Sequence, residues 1–402
     1  MFIPRCFVLA SLLACSFGCI TSGCKGHGKY TKEHTNVAKE KMSMLKSATE
    51  YQMAFQAFIA SDLEKAARHI DYSLGLAPGV AKSHVLKGRV MLEMGNLERA
   101  AACFEQATQI APENVEAAYY QGVLNERVAR KEEALQCYQR AANLDGTNAQ
   151  YCVAAAEMLI DLGRLDEADA YLRQRLETFV NNAGVKQVLG NIAMLKSDSK
   201  SAQVLYSEAR LLDPANQSVV ENLVRAQLAN GDIADAEVNL DKLLNDKSTK
   251  NRRDLIHTRA ECLAQLDRPI EARDLYIELT RDSTGAADVK AWRGLGHIAF
   301  LLKDTQRAKL CAARLIAIAP QSSDGWLLRG LINRRAGDLP AAKMNLEHAI
   351  SLNAGNDALV ILGLVYQDMH QYPQAKAAFQ QVLNEEPQHP AALQLITSVP
   401  VE

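Results

Sequence analysis

Small and large apolar positions recur along this chain with a period close to 34 residues. Alanines at Ala66, Ala100, Ala134, Ala168, Ala202 and Ala236 are spaced by 34. The series continues through Ala272, Ala308, Ala342 and Ala375, with gaps of 36, 36, 34 and 33. Twelve residues before each alanine stands a small residue: Ala54, Gly88, Gly122, Ala156, Gly190, Ala260, Gly296, Gly330 and Gly363, with Val224 the exception. Four residues after it stands a larger one, as in Phe104, Tyr138, Leu172, Tyr206, Tyr276 and Phe379. A fixed period of this length is the mark of a stacked repeat.

The spacings predict two antiparallel helices per repeat. A small residue on the first helix, helix A, and an alanine on the second, helix B, let the backbones approach. The large residue one turn further along helix B fills the space beside them. Gly95, Gly163, Gly231 and Gly337 fall between the helices, where a left-handed residue commonly ends a helix. Pro269, Pro340 and Pro373 follow that turn, where the missing N–H costs nothing. No run of β-branched alternation predicts a strand. The fold class is therefore all-α.

The pattern resembles the tetratricopeptide repeat (TPR). Trp292, Leu295, Gly296, Ala308 and Pro320 carry it in one unit. Leu362, Gly363, Tyr366, Ala375, Phe379 and Pro387 carry it in the last. The resemblance implies a right-handed α-α superhelix of about ten helix-turn-helix repeats over residues 47–389. The segment 390–402 would then be a capping helix over the last repeat's apolar face. Units 217–250 and 253–286 match least, and two extra residues follow each, which predicts a local break.

Residues 1–23 read as a secretory signal: Arg5, an apolar run from Cys6 to Ile20, then small residues. Ser22-Gly23-Cys24 resembles a bacterial lipobox, which makes Cys24 the expected lipid anchor, with Cys15 and Cys19 as alternatives. Residues 24–46 then form the anchor and a basic tether of six lysines against Glu33 and Glu40, helical from about Asn36. Lys25 is not the aspartate that retains many enterobacterial lipoproteins at the inner membrane, so the expectation leans to the outer membrane, facing the periplasm.

The formal net charge of −2 gives no basic face for a nucleic acid. After Cys24 come five cysteines with no CxxC, and Cys103, Cys137 and Cys311 share one repeat position, as buried apolar thiols do. No P-loop, GxSxG, HExxH or dinucleotide turn occurs. The segments outside the repeats are short for a catalytic domain. The expectation is no enzyme, no cofactor, no metal site and no small-molecule substrate. His257, Glu261, Arg293 and His297 are the one patch an unrecognised hydrolase would use.

In the family, positions five and nine of helix A face the partner-binding groove. Here they are Tyr51 and Phe55, Val85 and Arg89, Tyr119 and Val123, then Val153 and Glu157, Gln187 and Asn191, Glu221 and Arg225. The series ends with His257 and Glu261, Arg293 and His297, Leu327 and Leu331, and Val360 and Leu364. No unit pairs Lys at five with Asn at nine, so the family's clamp for an acidic chaperone tail is absent. The groove is expected to take protein or peptide segments, with apolar anchors around a polar stretch. The combined expectation is a lipid-anchored envelope scaffold that assists assembly of a pilus, secretion or other envelope complex. The alternatives are a periplasmic adaptor for cell-wall enzymes, or a cytosolic regulator if the signal is spurious.

Overall fold

The computed structural model describes residues 29–400 and, among them, is helical throughout, without strands. Among the described residues 21 α-helices follow one another as ten pairs and a final single helix. The signal segment and Cys24 lie outside the described residues. Two compact units are distinguished, one ending at Tyr151 and the other beginning at Cys152.

In the first unit α1 (Lys29–Ile59) precedes α2 (Leu63–Leu76), α3 (Ala81–Glu93) precedes α4 (Leu97–Ile110), and α5 (Val115–Arg127) precedes α6 (Lys131–Leu144). The division falls in α7 (Ala149–Asp161). The second unit continues with α8 (Leu165–Arg173), α9 (Ala183–Leu195), α10 (Ser199–Leu212), α11 (Gln217–Asn230), α12 (Ile233–Leu244), α13 (Arg253–Gln265) and α14 (Pro269–Thr280). It ends with α15 (Val289–Leu301), α16 (Thr305–Ile318), α17 (Asp324–Arg335), α18 (Leu339–Ser351), α19 (Asn356–Asp368), α20 (Tyr372–Glu385) and α21 (Pro390–Ser398). The architecture is an α-α superhelix of repeated helix pairs.

The small residue of helix A receives the large residue of helix B directly. A Cβ placed on Gly88 would lie 2.4 Å from the Phe104 ring; on Gly122, 2.6 Å from Tyr138; on Gly190, 2.6 Å from Tyr206; on Gly363, 2.4 Å from Phe379. These are distances no real Cβ tolerates, so the absent methyl is the seat of the ring. Phe104 and Phe379 are fully buried as a result. Ala260 has a Cβ at that position, and Tyr276 turns instead onto Gly294 of α15. All ten marker alanines are at most 1% exposed.

The ten turns from helix A to helix B share one geometry. Residue 61, 95, 129, 163, 197, 231, 267, 303, 337 or 370, five before each marker alanine, is left-handed with φ between 55° and 81°. The following N–H closes a 2.8–3.0 Å bond to the carbonyl five residues back, as in Asn96 to Met91 and Asp304 to Ala299. This is the Schellman arrangement. Asp62, Asn96, Asp198, Asp304 and Asp338 then cap helix B through their side chains. Four of the ten left-handed residues are the glycines the spacing picked out. Ser61, Ala129, Ser197, Asp267, Lys303 and His370 adopt the conformation without that freedom.

The extra residues after α12 and α14 are ordered. Thr249 is buried and donates to the Leu243 carbonyl. A 3-10 turn at Gly285–Ala287 is clipped by Trp292 Nε1 on the Gly285 carbonyl at 2.9 Å and by Arg314 on the Ala286 carbonyl. Unit 217–250, which lacks the glycine, carries buried polar groups instead. Asn239 donates to Gln227 at 2.9 Å, and Glu237, 5% exposed, accepts from Arg259 and Arg268. Helix α1 starts at Lys29, earlier than the tether reading, and is 31 residues long. At the other end Ala392 of α21 is buried with Phe379 and Val382.

The ring-on-glycine contact predicts that Gly122→Leu costs about 1–3 kcal/mol. Hydrogen exchange should place the loss in α5, α6 and their neighbours, and uniform loss over all repeats would contradict local stacking. Ala129→Gly, relieving a left-handed alanine, should raise stability by about 0.5–1 kcal/mol in chemical denaturation.

Candidate partner-binding groove

Position five of helix A is largely committed to the next repeat. Residues 31 apart pair along successive A helices, because the step of one repeat is offset by about one helical turn. In the first unit Lys82 Nζ sits 4.9 Å over the Tyr51 ring, and Gln150 donates to the Tyr119 hydroxyl at 2.8 Å. In the second, Gln187 donates to Ser218 at 3.3 Å, Arg252 pairs with Glu221, His257 with Asp288 at 2.9 Å, and Arg293 with Asp324 at 3.7 Å. Position nine joins in at Asn191, which accepts from Asn222 at 3.4 Å and from the Tyr206 hydroxyl at 2.7 Å.

The first unit gathers its candidates into an aromatic face. Tyr51 and Phe55 stack at 6.4 Å. The Arg89 guanidinium lies between Phe58 at 4.8 Å and Tyr120 at 4.7 Å. Tyr119 meets Tyr120, Tyr138 and Tyr151 at 5.1–5.5 Å. Val123 packs half-buried against the core beside them. Burial pushes the Tyr51, Tyr120 and Tyr151 phenols up, so they remain neutral donors. Phe58 and Tyr120 lie outside positions five and nine, and the family rule misses them.

In the second unit a cavity of about 500 Å³ opens along the A helices. Leu327, Leu328, Leu331, Val360 and Ile361 give it apolar walls, with Leu315 beneath and Ala391 of α21 at the end. Arg293 and His297, four apart on α15, enter it from an exposed face. Two ion pairs line the rim, Lys290–Glu261 at 2.9 Å and Arg293–Asp324 at 3.7 Å, and His389 Nε2 lies 3.7 Å from the Asp357 carboxylate. Tyr276, pushed up to about 12 mainly by burial, contributes a neutral phenol. Such a cavity can seat apolar side chains, while the rim offers polar groups of both signs to a backbone.

Six of the groove positions thus converge: Glu261, Arg293, His297, Leu327, Leu331 and Val360. Gln187 and Asn191 are held in the ladder, and Arg225 stands exposed near Tyr206. His257 is a correction. It is 7% exposed, bonded to Asp288 and set against Tyr276, because its position-five side chain turns under the following helix. Lys290, Asp324 and Asp357 were not anticipated. All three sit at position two of their A helices, and the 31-residue pairing accounts for Asp324 alone, through Arg293.

Burial pushes Cys262 up to about 11 and Cys311 up to about 12, and none of the five described cysteines is in a disulfide. Among the described residues no three His, Cys, Asp or Glu side chains gather as a metal site would need. No described helix is long and apolar enough to cross a membrane.

Models of the tetratricopeptide repeat match residues 85–151, 149–177 and 334–399. Over those residues the chain carries tetratricopeptide repeats. Its TPR array is a protein-interaction scaffold, whose partners are protein or peptide segments. No curated protein matches the chain. Among solved structures it is similar to PilF of Pseudomonas aeruginosa, at 17% identity over 50% of this chain and 90% of that one, with a TM-score of 0.43. It is similar to PilW, described as a type IV pilus biogenesis factor, at 17% identity, 51% and 96% coverage and a TM-score of 0.45. YrrB, described as a TPR protein with an unusual peptide-binding site, shares 20% identity with 48% and 97% coverage and a TM-score of 0.37.

The Asp288 carboxyl ties His257, Arg253 and the Ala291 amide together. Burial pushes it up, but those three donors outweigh burial and hold it at about 2. An ordinary aspartate titrates near 4, so this contribution is present above about pH 4 and lost as pH falls toward 2. Asp288→Asn should cost about 1–2 kcal/mol at pH 7. In denaturant titrations the gap to the parent should close between pH 4 and 2, and a gap constant over that range would remove Asp288 as its source.

Proposed function

We propose that this TPR array is exported, lipid-anchored at Cys24 in a bacterial envelope, and organises partners during assembly of a pilus, secretion or other envelope complex. The observation that carries the binding half is the apolar cavity of the second unit, open at Leu327 and Leu331 and rimmed by Arg293 and His297. A segment with apolar anchors spaced to match successive A helices is the ligand this geometry favours, with polar groups meeting the rim. The address rests on the sequence: an apolar leader, Ser22-Gly23-Cys24, then lysines. No enzymatic step is assigned to the chain.

The test is in-cell crosslinking, detergent extraction and mass spectrometry of both the captured proteins and the mature N-terminus. Pilus or secretion components together with a lipidated Cys24 are the expected result. Cell-wall hydrolases or synthases would replace the assembly role by an adaptor's. An unprocessed N-terminus with cytosolic partners would overturn the address and leave the scaffold. Leu331→Glu should lower recovery of the true partner about tenfold or more, since it places a charge against an apolar contact.

A further inference from the structure

Helix α1 outruns its partner. Ser43 donates to the Leu76 carbonyl at the end of α2, and Ser47 donates to the Ser73 carbonyl at 2.9 Å. Residues 32–42, before that contact, are exposed without exception. The overhang is charge-segregated. Lys32, Lys39 and Lys46 recur every seven residues and so form one stripe. At 3.6 residues per turn, Ala38, Met42 and Leu45 form the strip beside it, and Lys41 borders the strip's other edge. Glu33 and Glu40 fall on the opposite side, with Ser47, toward the body of the repeat. Met42 is 54% exposed and Leu45 65% exposed, which a soluble overhang gains nothing from.

We infer that residues 32–46 form an interfacial helix that lies on a bilayer bearing anionic headgroups. An apolar strip flanked by lysines on both edges, with carboxylates turned away, is complementary in charge and polarity to such a surface. The helix is too polar to cross a membrane. Its first residue, Lys29, follows Cys24 by only five positions, so an anchored chain delivers this face to the membrane within about 17 Å of extended backbone. The inference rests on the envelope reading for its location, and it replaces a loose tether by a rigid arm laid on the surface. The first repeat would then be held at a fixed orientation to the membrane.

The test uses the full chain carrying Met42→Trp, mixed with vesicles of phosphatidylglycerol or of phosphatidylcholine that contain a spin-labelled quenching lipid. The parent, with Trp292 and Trp326, supplies the background. Quenching of the new tryptophan on phosphatidylglycerol, reduced by 0.5 M salt, is expected. Charge reversal of Lys32, Lys39 and Lys46 to glutamate should abolish it, each lysine near an anionic surface being worth about fivefold in partition. A chain that floats with the vesicles but shows no quenching at position 42 would overturn the surface helix while leaving the anchor reading intact. Equal quenching on both lipids, or none after failure to float, would overturn it as well. Mass spectrometry of Cys24 from cell membranes tests the anchor separately.

Discussion

The seat of a helix-B ring on a helix-A glycine sets the spacing on which the rest of this molecule depends. Phe104 on Gly88, Tyr138 on Gly122, Tyr206 on Gly190 and Phe379 on Gly363 each use the volume that a single methyl group would take. Backbones drawn this close fix the pair angle, and the fixed pair angle fixes where the next A helix lies. The 31-residue pairs then become possible, because each A helix presents position five to the start of its successor. The same pairs also form from units without the contact, as between Glu221 and Arg252, so polar pairing carries the stacking onward where the ring seat is missing.

The repeats that lack this contact use other means. Unit 217–250 has Val224 where others have glycine or alanine, and its buried Glu237, Asn239 and Gln227 are satisfied by one another and by arginines. Buried polar groups are costly unless every partner is present. That network therefore gives a specific geometry where the apolar signal is weakest. The turn before α15 is similarly specified, by Trp292 and Arg314 on backbone carbonyls. The sequence shows extra residues at both places, and the structure spends them on ordered turns.

What could be read from the sequence follows from which features are local. The alanine and glycine period is a direct record of close approach, so fold class and pairing were visible. The turns were half visible: Gly95 or Gly337 signals a left-handed residue, whereas Lys303 or Ala129 carries no local sign and is found only by its register to the alanine. The short α8 had no sign either, since Ala168 and Leu172 keep the pattern until the chain turns to bury Phe179. Leu327 and Leu331, apolar at positions five and nine, line the cavity of the second unit. The groove rule was misleading at His257, because a polar residue at position five can serve the neighbouring repeat as readily as a ligand.

The cavity on the A helices of the second unit is the proposed seat of the partner. The most direct measurement is photocrosslinking in living cells from a benzophenone amino acid placed at Leu331, compared with one at Leu310, which is 60% exposed on a B helix. A discrete adduct with one partner is expected from position 331 and not from 310. The reverse pattern, or the same adducts from both positions, would contradict it.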